Sequence, residues 1–593
     1  MEFVSYDIAS NDFRRAGAAS RSIKEHLKRI GAEAEAIRRT MIAAYEAEMN
    51  VVIHSVGGRL EASLSESQID VNVVDDGPGI PDVEQAMVEG FSTASAEARA
   101  LGFGAGMGLP NIRRNSDRLR ITSRVDEGTR VSFTVYLKPE NLSGPRLISV
   151  YASPDRCRDC KACLTACPTQ AMRVRHGRPS ILEHLCVDCG ECIAACSTRA
   201  LTVREEISSL DDLPAKEEML LVVPPALLAG CGPDYPPEQV LAALRDLGFA
   251  DVITSAPYEE ALRKASLETA CAGEIIGADS PGRTRFRPVI VPSCPAVVNL
   301  IELRFPSLVP HLAALDSPWE AVQATHVDRP VAYVVSCPSQ RSALLAHAQT
   351  ANNRDGTPGE TSTPGEAGAG PQAEYLTPEV LRQAVMMKLA GKTNDAHSSA
   401  RSEATATLSE VATSATDRGA ANSATPTPTA DTGRILTVTG MDHVMAVLEE
   451  VENGLLNDVD VIEPYSCEGG CFGSPLLSED HHVASHRWER GRAAVEAAVT
   501  AGQASPITAV VRRRPFVSRP GIRLDPDMSR AIQKLGQLQA VIRDLPGRDC
   551  GACGAPTCAA LAEDVVMGRA EVGLCPYIVT PAVTPEGGKE VRD

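Results

Sequence analysis

Cysteines are the residues of this 593-residue chain that point most clearly to chemistry, and there are 18 of them. Two stretches share the spacing C-x2-C-x2-C-x3-C, namely CRDCKACLTAC and CVDCGECIAAC. In such a run the first three thiolates hold one 4Fe–4S cluster and the fourth holds the other cluster. The spacing predicts one cluster on Cys157, Cys160, Cys163 and Cys196, and a second on Cys186, Cys189, Cys192 and Cys167. Structural zinc is the alternative, but zinc sites usually pair two C-x2-C units across a longer gap.

A third group of cysteines lies near the end of the chain, in DCGACGAPTCAALAEDVVMGRAEVGLCP. Three lie on a glycine-rich turn at a predicted helix start and the fourth precedes a proline: Cys550, Cys553, Cys558 and Cys575. This arrangement suits a further 4Fe–4S cluster, with zinc again as the alternative. The two repeats resemble bacterial ferredoxins. The third group resembles the small four-cysteine iron–sulfur domain of electron-transfer complexes and of corrinoid or carbon-monoxide enzymes.

The first 140 residues contain polar side chains and glycines that could bind a nucleotide. Glu46 and Asn50 lie one turn apart on a predicted helix, where a carboxylate can orient water and an amide oxygen can bind Mg²⁺. Asp75 ends a predicted strand and could accept a hydrogen bond from an adenine amino group. Glycines that would let a base or phosphate approach the backbone follow in two loops: Gly77 and Gly79, then Gly104, Gly106 and Gly108. A Rossmann site is excluded because the glycine loop does not follow the first strand of a βαβ unit.

Together these motifs resemble the Bergerat ATP-binding fold of histidine kinases, gyrases and anti-sigma-factor serine kinases. The resemblance implies that Glu46 is the general base, Asn50 the Mg²⁺ ligand, Asp75 the adenine reader and the glycines the ATP lid. It also implies that Thr129, in DEGTRVSF, lies near the base. The anti-sigma branch is the most similar one, because the fold is expected to begin near residue 1, without the histidine-bearing helices of a histidine kinase. His26 and His54 are expected to be structural or surface residues rather than phosphoacceptors.

Four scattered cysteines form the last group: Cys294, Cys337, Cys467 and Cys471. Scattered cysteines are usually core residues. The sequence around these cysteines, including LRDLGFADVITSAPYEEA and IEPYSCEGGC, resembles that of the catalytic domain of iron-only hydrogenases. In that family four such cysteines hold a 4Fe–4S cubane, and one of them bridges to a diiron centre. The resemblance implies that Cys471 occupies the bridging position.

Three departures from that family bear on the chemistry. Ser293 stands where the family has a proton-carrying cysteine, and Gln340 where it has a lysine that donates to a cyanide of the diiron centre. Ser336 replaces a methionine that helps to enclose the site. A positioned proton carrier is worth about 10²- to 10⁴-fold in rate, and a positioned charge donor about 10²- to 10³-fold. We therefore expect a cubane without the diiron part and no hydrogen evolution.

Composition and charge limit the classes of partner. The formal net charge of −19 argues against a nucleic acid as the partner, because a protein that binds the phosphate backbone normally needs a basic surface. The most apolar stretch, MLLVVPPALLAG, contains two prolines and is shorter than the roughly 20 residues that span a bilayer. No secretion signal is evident at the start, so a cytoplasmic location is expected. The two remaining cysteines, Cys231 and Cys271, are expected to be buried apolar residues.

The chain is predicted to be a multidomain protein of mixed α/β and α+β class. The expected domains are a Bergerat α/β sandwich over 1–140, a ferredoxin-like cluster domain over 145–207, a hydrogenase-like α/β domain over 215–500 and a small helical iron–sulfur domain over 526–580. Two stretches poor in large apolar residues, 350–373 and 393–433, are predicted to be disordered insertions in the third domain. A helix in TPEVLRQAVMMKLAG is predicted to dock on that domain.

These features favour a redox-responsive regulator, in which up to four 4Fe–4S clusters control an ATP-binding, Mg²⁺-using serine-kinase or anti-sigma-like module. The expected partner is a protein of anti-sigma, anti-anti-sigma or response type, or a redox protein, and a homodimer is compatible with this interpretation. An ATP-driven low-potential reductase is the first alternative. An active iron-only hydrogenase is the second.

Overall fold

A computed structural model describes residues 2–65, 67–92, 106–137, 148–203, 207, 209–213, 215–272, 287–352, 373–403, 434–500, 507–512, 515–519, 521 and 523–578. Among these residues, none of the helices combines the length and hydrophobicity that a transmembrane span requires. Gly104 lies outside the described residues, as do 353–372 and 404–433, which form most of the two predicted insertions.

The N-terminal part is an antiparallel sheet that packs against two long helices. Its elements are β1 (Glu2–Ala9), α1 (Ala18–Ile30), α2 (Ala34–His54), β2 (Gly57–Leu64), β3 (Gln68–Asp75), α3 (Val83–Ala86), α4 (Gly108–Arg114), β4 (Arg118–Arg124) and β5 (Gly128–Tyr136). The strand order is β1-β2-β3-β5-β4, with every pair antiparallel. Alternate residues Ile69, Val71 and Val73 of β3 are buried in the core shared with α1 and α2. The predicted α/β sandwich is confirmed.

The two cysteine repeats fold alike within a small unit of short elements. These are β6 (Val150–Ala152), α5 (Ala162–Ala166), β7 (Met172–Arg175), β8 (Arg178–Ile181), α6 (Glu191–Ala194) and β9 (Leu201–Val203). Strands β6 and β9 pair antiparallel, as do β7 and β8. Lys161 and Gly190 occupy equivalent positions before α5 and α6, with φ of 63° and 86°. The duplicated spacing thus gives a duplicated backbone conformation.

The third part contains two parallel sheets covered by helices. Its elements are β10 (Leu220–Val223), α7 (Pro225–Ala229), α8 (Pro237–Arg245), β11 (Asp251–Thr254), α9 (Ala256–Ala272), β12 (Val289–Ile290), α10 (Pro295–Arg304), α11 (Pro318–Thr325), β13 (Val331–Val334), α12 (Pro338–Asn352), β14 (Ala373–Leu376), α13 (Pro378–Glu403), β15 (Ile435–Thr439), α14 (Met441–Glu452), β16 (Val461–Tyr465) and α15 (His481–Thr500). The strand orders are β11-β10-β13-β14 and β12-β16-β15. Every residue of β10 and β13 is buried, as is typical of parallel strands covered on both faces.

Two expectations for this part need correction. Helix α13 docks as predicted, with Leu381, Val385 and Leu389 in the core, but it continues to Glu403. The prediction of a disordered insertion is therefore wrong for residues 393–403, since Gly391 costs a helix only about 1 kcal/mol relative to alanine. Cys231 is buried as expected, whereas Cys271 is exposed in the last turn of α9, so the prediction of a buried position is wrong there.

The C-terminal part packs against the N-terminal sandwich. Its elements are α16 (Met528–Asp544) and α17 (Cys558–Val566). Leu535 and Leu538 of α16 lie in one hydrophobic core with Ile23 and Leu27 of α1. Helix α16 also contacts β1. The two ends of the chain, which the sequence assigns to separate domains, are thus packed together, and the four domain limits stay a prediction.

Candidate functional site

The predicted Mg²⁺ and catalytic residues lie where α2 faces the start of α4. Glu46 and Asn50 are one turn apart on α2. A Cβ atom added to Gly108 would lie 3.0 Å from Asn50 Oδ1 and 3.4 Å from Glu46 Oε2. Glycine at position 108 therefore lets the backbone of α4 approach both side chains closely. The structure brings these three predicted residues together.

Glu46 is held by an asparagine that the sequence analysis did not single out. Asn111 Nδ2 donates a hydrogen bond of 2.6 Å to Glu46 Oε1. Burial raises the pKa of Glu46, the bond from Asn111 opposes this, and the net pKa is raised. A raised pKa brings a carboxyl closer to the range in which it can accept a proton at neutral pH. Asn111 follows the glycine loop in GLPNI, and that position was a signal that could have identified it.

The residues predicted to surround the base lie at one end of the sheet. Asp75 of β3 and Thr129 of β5 are direct register partners. Asp75 Oδ1 accepts a hydrogen bond of 2.8 Å from the Gly77 N–H, and the Thr129 hydroxyl lies 2.8 Å from Ser123 Oγ. Gly79 has φ of 71°, and a Cβ there would lie 2.1 Å from a backbone oxygen, so only glycine fits.

The surroundings of Gly106 and of the two histidines complete the description of this part, and the nucleotide-binding roles stay a prediction. Gly106 has φ of 74° and its carbonyl accepts a hydrogen bond of 3.0 Å from the Gly90 N–H. His26 is buried between Ser22 O at 2.7 Å and Gln539 Nε2 at 2.8 Å. Burial lowers the pKa of His54 despite the nearby carboxylate of Asp75. His26 is thus held between two elements, and the roles of both histidines stay a prediction.

The eight cysteines of the repeats lie in two groups that cross between the repeats. The pKa of Cys163 is raised to about 11, first by burial and then by Cys196, Cys160 and Cys157. The pKa of Cys189 is raised by burial and, although a backbone N–H lowers it, also by Cys192, Cys167 and Cys186. Each group contains the three early cysteines of one repeat and the last cysteine of the other. This is the crossed arrangement that the spacing predicts.

Backbone N–H groups point at the sulfur atoms in the same way in both repeats. The four bonds, all between 3.2 and 3.4 Å, run from Asp159 to Cys157, Asp188 to Cys186, Ala171 to Cys167 and Ala200 to Cys196. Hydrogen bonds to sulfur favour the thiolate that iron ligation requires. The residues present therefore fit 4Fe–4S clusters. Within the described ranges no three His, Cys, Asp or Glu side chains converge as ligands of a single metal ion do, and the sulfur ligands of a four-iron cluster surround a larger body.

The four cysteines of the third part meet at the carboxyl ends of parallel strands. Cys294 follows β12, Cys337 follows β13, and Cys467 and Cys471 follow β16. Burial, followed by Glu259 and then by the other three thiols, raises the pKa of Cys471. The pKa of Cys337 is raised to about 12, first by burial and then by Cys294.

Two of the positions that differ from hydrogenases, Ser336 and Gln340, form hydrogen bonds with each other. Ser336 and Gln340 are buried, and Gln340 Oε1 accepts bonds from the Ser336 N–H at 2.9 Å and from its hydroxyl at 3.1 Å. The Ser474 hydroxyl donates to the Ser336 carbonyl. Ser293 is half-buried next to Cys294. A neutral amide that bonds to its own loop thus stands where the resemblance places the family's lysine.

The C-terminal cysteines lie in one loop and its following helix. Burial raises the pKa of Cys553, backbone N–H groups lower it, and Cys575 and Cys550 raise it further. Cys558 begins α17, and its N–H donates a bond of 2.6 Å to Asp549 Oδ1. Cys550 is exposed and Cys575 is buried.

Contacts between the parts place the cysteine groups in a defined order. The C-terminal loop lies on the first repeat through Lys161 Nζ to Ala552 O at 3.0 Å and Val174 N–H to Gly554 O at 2.9 Å. The second repeat lies on the third part, where a Cβ on Gly190 would be 2.5 Å from Pro475. The order is the C-terminal group, then the group of Cys157, Cys160, Cys163 and Cys196, then the group of Cys186, Cys189, Cys192 and Cys167, and last the group that contains Cys294.

A buried carboxylate fixes the C-terminal part to the first repeat. Asp564 is fully buried and accepts hydrogen bonds from Arg173 at 2.5 and 3.2 Å, from Arg175 at 2.7 Å and from Arg569 at 3.1 Å. These partners outweigh the effect of burial, so the pKa of Asp564 is lowered. The sequence analysis did not identify this residue, and no spacing marks it.

Four family models match separate parts of the chain. Residues 36–140 match the histidine kinase-, DNA gyrase B- and HSP90-like ATPases, and residues 149–197 match the 4Fe–4S dicluster domain. Residues 217–329 match the C-terminal domain of the iron-only hydrogenase large subunit, and residues 545–577 match an Fe–S cluster domain. These matches support iron–sulfur and ATP binding by the chain.

Curated relatives match the N-terminal part. The anti-sigma F factor of Caldanaerobacter subterraneus is 33% identical over 106 residues, which are 18% of this chain and 66% of the relative. The anti-sigma F factor of Clostridium novyi is 30% identical over 144 residues, 23% of this chain and 93% of the relative. The serine/threonine-protein kinase RsbT of Bacillus subtilis is 29% identical over 104 residues, 17% of this chain and 72% of the relative. The chain thus spans slightly less than two thirds of the Caldanaerobacter protein.

A solved structure of an FeFe-hydrogenase, studied for oxygen inactivation of its H cluster, also matches. It is 14% identical, and the match covers 52% of this chain and 97% of that chain with a TM-score of 0.31.

Proposed function

The chain belongs, through its N-terminal part, to the anti-sigma F factor family, and we propose that it is an iron–sulfur redox regulator of a kinase-like, anti-sigma-type module. One observation carries this proposal. The C-terminal part, with Cys575 buried in it, shares a single hydrophobic core with helices α1 and α2 of the ATP-binding sandwich. A change of charge or packing at these cysteines would therefore act on a core that also includes α2, the helix that bears Glu46 and Asn50.

Each of the four cysteine groups would hold one 4Fe–4S cluster in this proposal. Such clusters accept and release single electrons, and hydrogen bonds to the sulfurs and solvent exposure tune their potentials. The backbone N–H groups of both repeats would supply those hydrogen bonds. The buried position of Cys294 and Cys467, compared with the exposed Cys160 and Cys550, would give the groups different potentials.

The ATP site would transfer a phosphoryl group to a serine hydroxyl of a protein partner. Asn50 would bind Mg²⁺, which neutralises charge on the phosphates. Glu46 would accept the hydroxyl proton while the serine oxygen bonds to the γ-phosphorus and ADP leaves. Asn111 would orient the carboxylate of Glu46. The names of the relatives support a partner of the anti-sigma type and a kinase activity.

The third part would act as a redox sensor or relay rather than as a hydrogenase. The hydrogen bonds between Ser336 and Gln340 support this, because a neutral amide bonded within its own loop cannot supply the charge of the family's lysine. The cubane on Cys294, Cys337, Cys467 and Cys471 would then be the buried end of the series of clusters.

Turnover by anaerobically purified protein tests the proposal. ATP hydrolysis and serine phosphorylation are measured with the iron content known and the clusters first oxidised and then reduced. The Glu46→Ala variant supplies the background rate. We expect the two redox states to differ in rate. A reductase, in contrast, would show electron transfer to an acceptor that stops in Glu46→Ala, and this result would replace the regulator hypothesis.

A further inference from the structure

Arg304, the last residue of α10, contacts both the residue that follows Cys167 and the ATP-binding sandwich. Its Nη1 donates a hydrogen bond of 3.0 Å to the carbonyl of Pro168, the residue after Cys167. Its own carbonyl accepts a hydrogen bond from Lys28 Nζ of α1. A single residue thus joins a predicted cluster ligand to a helix of the ATPase.

The surroundings of this contact are desolvated. Lys28 and Lys24 of α1 are 7% and 6% exposed, and both ammonium groups lie over the Phe305 ring, at 5.4 and 4.8 Å from its centroid. Burial lowers the pKa of Lys28 to about 8. Lys24 forms an ion pair with Glu452, which is also bonded by the Ser307 hydroxyl. Charges interact more strongly in such surroundings than in water, so a change of charge nearby has a large effect.

Helix α1 is joined in turn to the helix that bears the catalytic residues. The buried carboxylate of Glu48 accepts hydrogen bonds from the N–H groups of Ala19 at 3.2 Å and Ser20 at 3.1 Å, at the start of α1. Glu48 lies on α2, two residues after Glu46 and two before Asn50. A shift of α1 therefore acts on the turn of α2 that forms the ATP site.

We propose that Arg304 is the positioning residue through which the charge of the cluster bound by Cys167 sets the geometry of the ATP site. This inference rests on the proposed function. One electron from a low-potential donor adds one negative charge to the cluster, and no bond is made or broken. The guanidinium of Arg304 is drawn towards that charge, and the displacement passes through Lys28 to α1 and through Glu48 to α2. Coupling between two sites must be reciprocal, so ATP must also alter the potential of the cluster.

The test compares nucleotide affinity in two redox states of the intact, cluster-loaded chain. A fluorescent ATP analogue is titrated anaerobically into oxidised protein and into dithionite-reduced protein. Wild type is expected to differ about tenfold between the states, which is within the usual range of allosteric coupling. By reciprocity, saturating ATP shifts the midpoint of the cluster's electron paramagnetic resonance titration by about 59 mV. In Arg304→Met the affinity ratio is expected to fall to one and the midpoint shift to zero, while the iron content stays unchanged.

Two further variants separate this route from general damage. Lys28→Met breaks the same contact from the ATPase side, away from the cysteines, and carries the test if Arg304→Met loses iron or unfolds. Gln539→Leu removes the contact of α16 with His26 on the same helix α1, and it should keep the tenfold ratio. Retention of the ratio in both Arg304→Met and Lys28→Met would overturn the role of Arg304. A ratio of one in wild type would also overturn it, whereas the proposed function itself fails only if the turnover rates of the two redox states are equal.

Discussion

The amide oxygen of Gln340 accepts hydrogen bonds from the backbone N–H of Ser336 at 2.9 Å and from its hydroxyl at 3.1 Å. Both residues are buried beside Cys337. The resemblance to iron-only hydrogenases implies that a lysine and a methionine hold these positions around the diiron centre in that family. Here the two polar residues satisfy each other, so the loop that would face a diiron centre is stabilised without one.

Infrared spectroscopy is expected to find no diiron centre. After anaerobic maturation in the presence of diiron assembly factors, the protein should lack carbonyl and cyanide stretching bands and should evolve no hydrogen. The double variant Ser293→Cys, Gln340→Lys is the matched comparison, because it restores the two missing side chains. Carbonyl and cyanide bands in the wild-type protein would contradict this part of the account.

The pH dependence of turnover should report on Glu46. A general base works when it is ionised, so activity is lost as the pH falls through its pKa. Burial raises that pKa above the usual 4.5, so the loss should occur at a higher pH than for an exposed glutamate. In Asn111→Leu the hydrogen bond that lowers the pKa is gone, and the acid limb of the kcat profile should move to still higher pH.

Removing the carboxylate itself gives the control for that profile. Glu46→Gln should lower kcat by about 10²- to 10⁴-fold, the usual value of a positioned base. Its affinity for ATP should stay within about twofold of wild type, because the base contacts the attacking group rather than the nucleotide. An acid limb that does not move in Asn111→Leu would remove Glu46 from this role.

Iron content should respond to single cysteine changes in a way that depends on the group. Cys186→Ser should remove about four irons per chain, because one four-iron cluster loses a ligand. Cys231→Ser is the matched control, since the Cys231 thiol is buried and donates to the Leu227 carbonyl at 3.5 Å, outside the four groups. Loss of a single zinc ion instead of iron would favour the zinc alternative.

Asp564 should be essential for holding the C-terminal part in place. Asp564→Ala leaves three arginines without their buried partner, and removing one member of a buried ion pair costs about 3–5 kcal/mol. The unfolding midpoint in urea should therefore fall, whereas it should hardly change for the exposed Asp544→Ala. An unchanged midpoint in Asp564→Ala would show that the buried network contributes little.

The pH dependence of that stability follows from the lowered pKa of Asp564. A carboxyl whose pKa is lower in the folded state stabilises the fold fully above its unfolded pKa, near 3.8. The contribution is lost as the pH falls through the lowered value. The difference in stability between wild type and Asp564→Ala should therefore be constant at neutral pH and shrink below about pH 3.8.

Local spacing explains what could be predicted from the sequence. The two cysteine repeats, the Glu46 and Asn50 pair and the period of two in β3 are patterns within a few residues. Asp564 and Arg173 are 391 residues apart, and such a pair leaves no local pattern. The same holds for Arg304, whose partners Pro168 and Lys28 come from two other parts of the chain. Composition also misled, because the polar stretch after Gly391 continues helix α13.

The ratio of ATP turnover rates between reduced and oxidised clusters tests the central claim most directly. It is measured on one anaerobic preparation with full iron content, reduced with dithionite and then reoxidised, with the Glu46→Ala rate subtracted. The account predicts rates that differ by about fivefold or more and that return to their starting value on reoxidation. Equal rates in the two states, with all clusters retained, would contradict it.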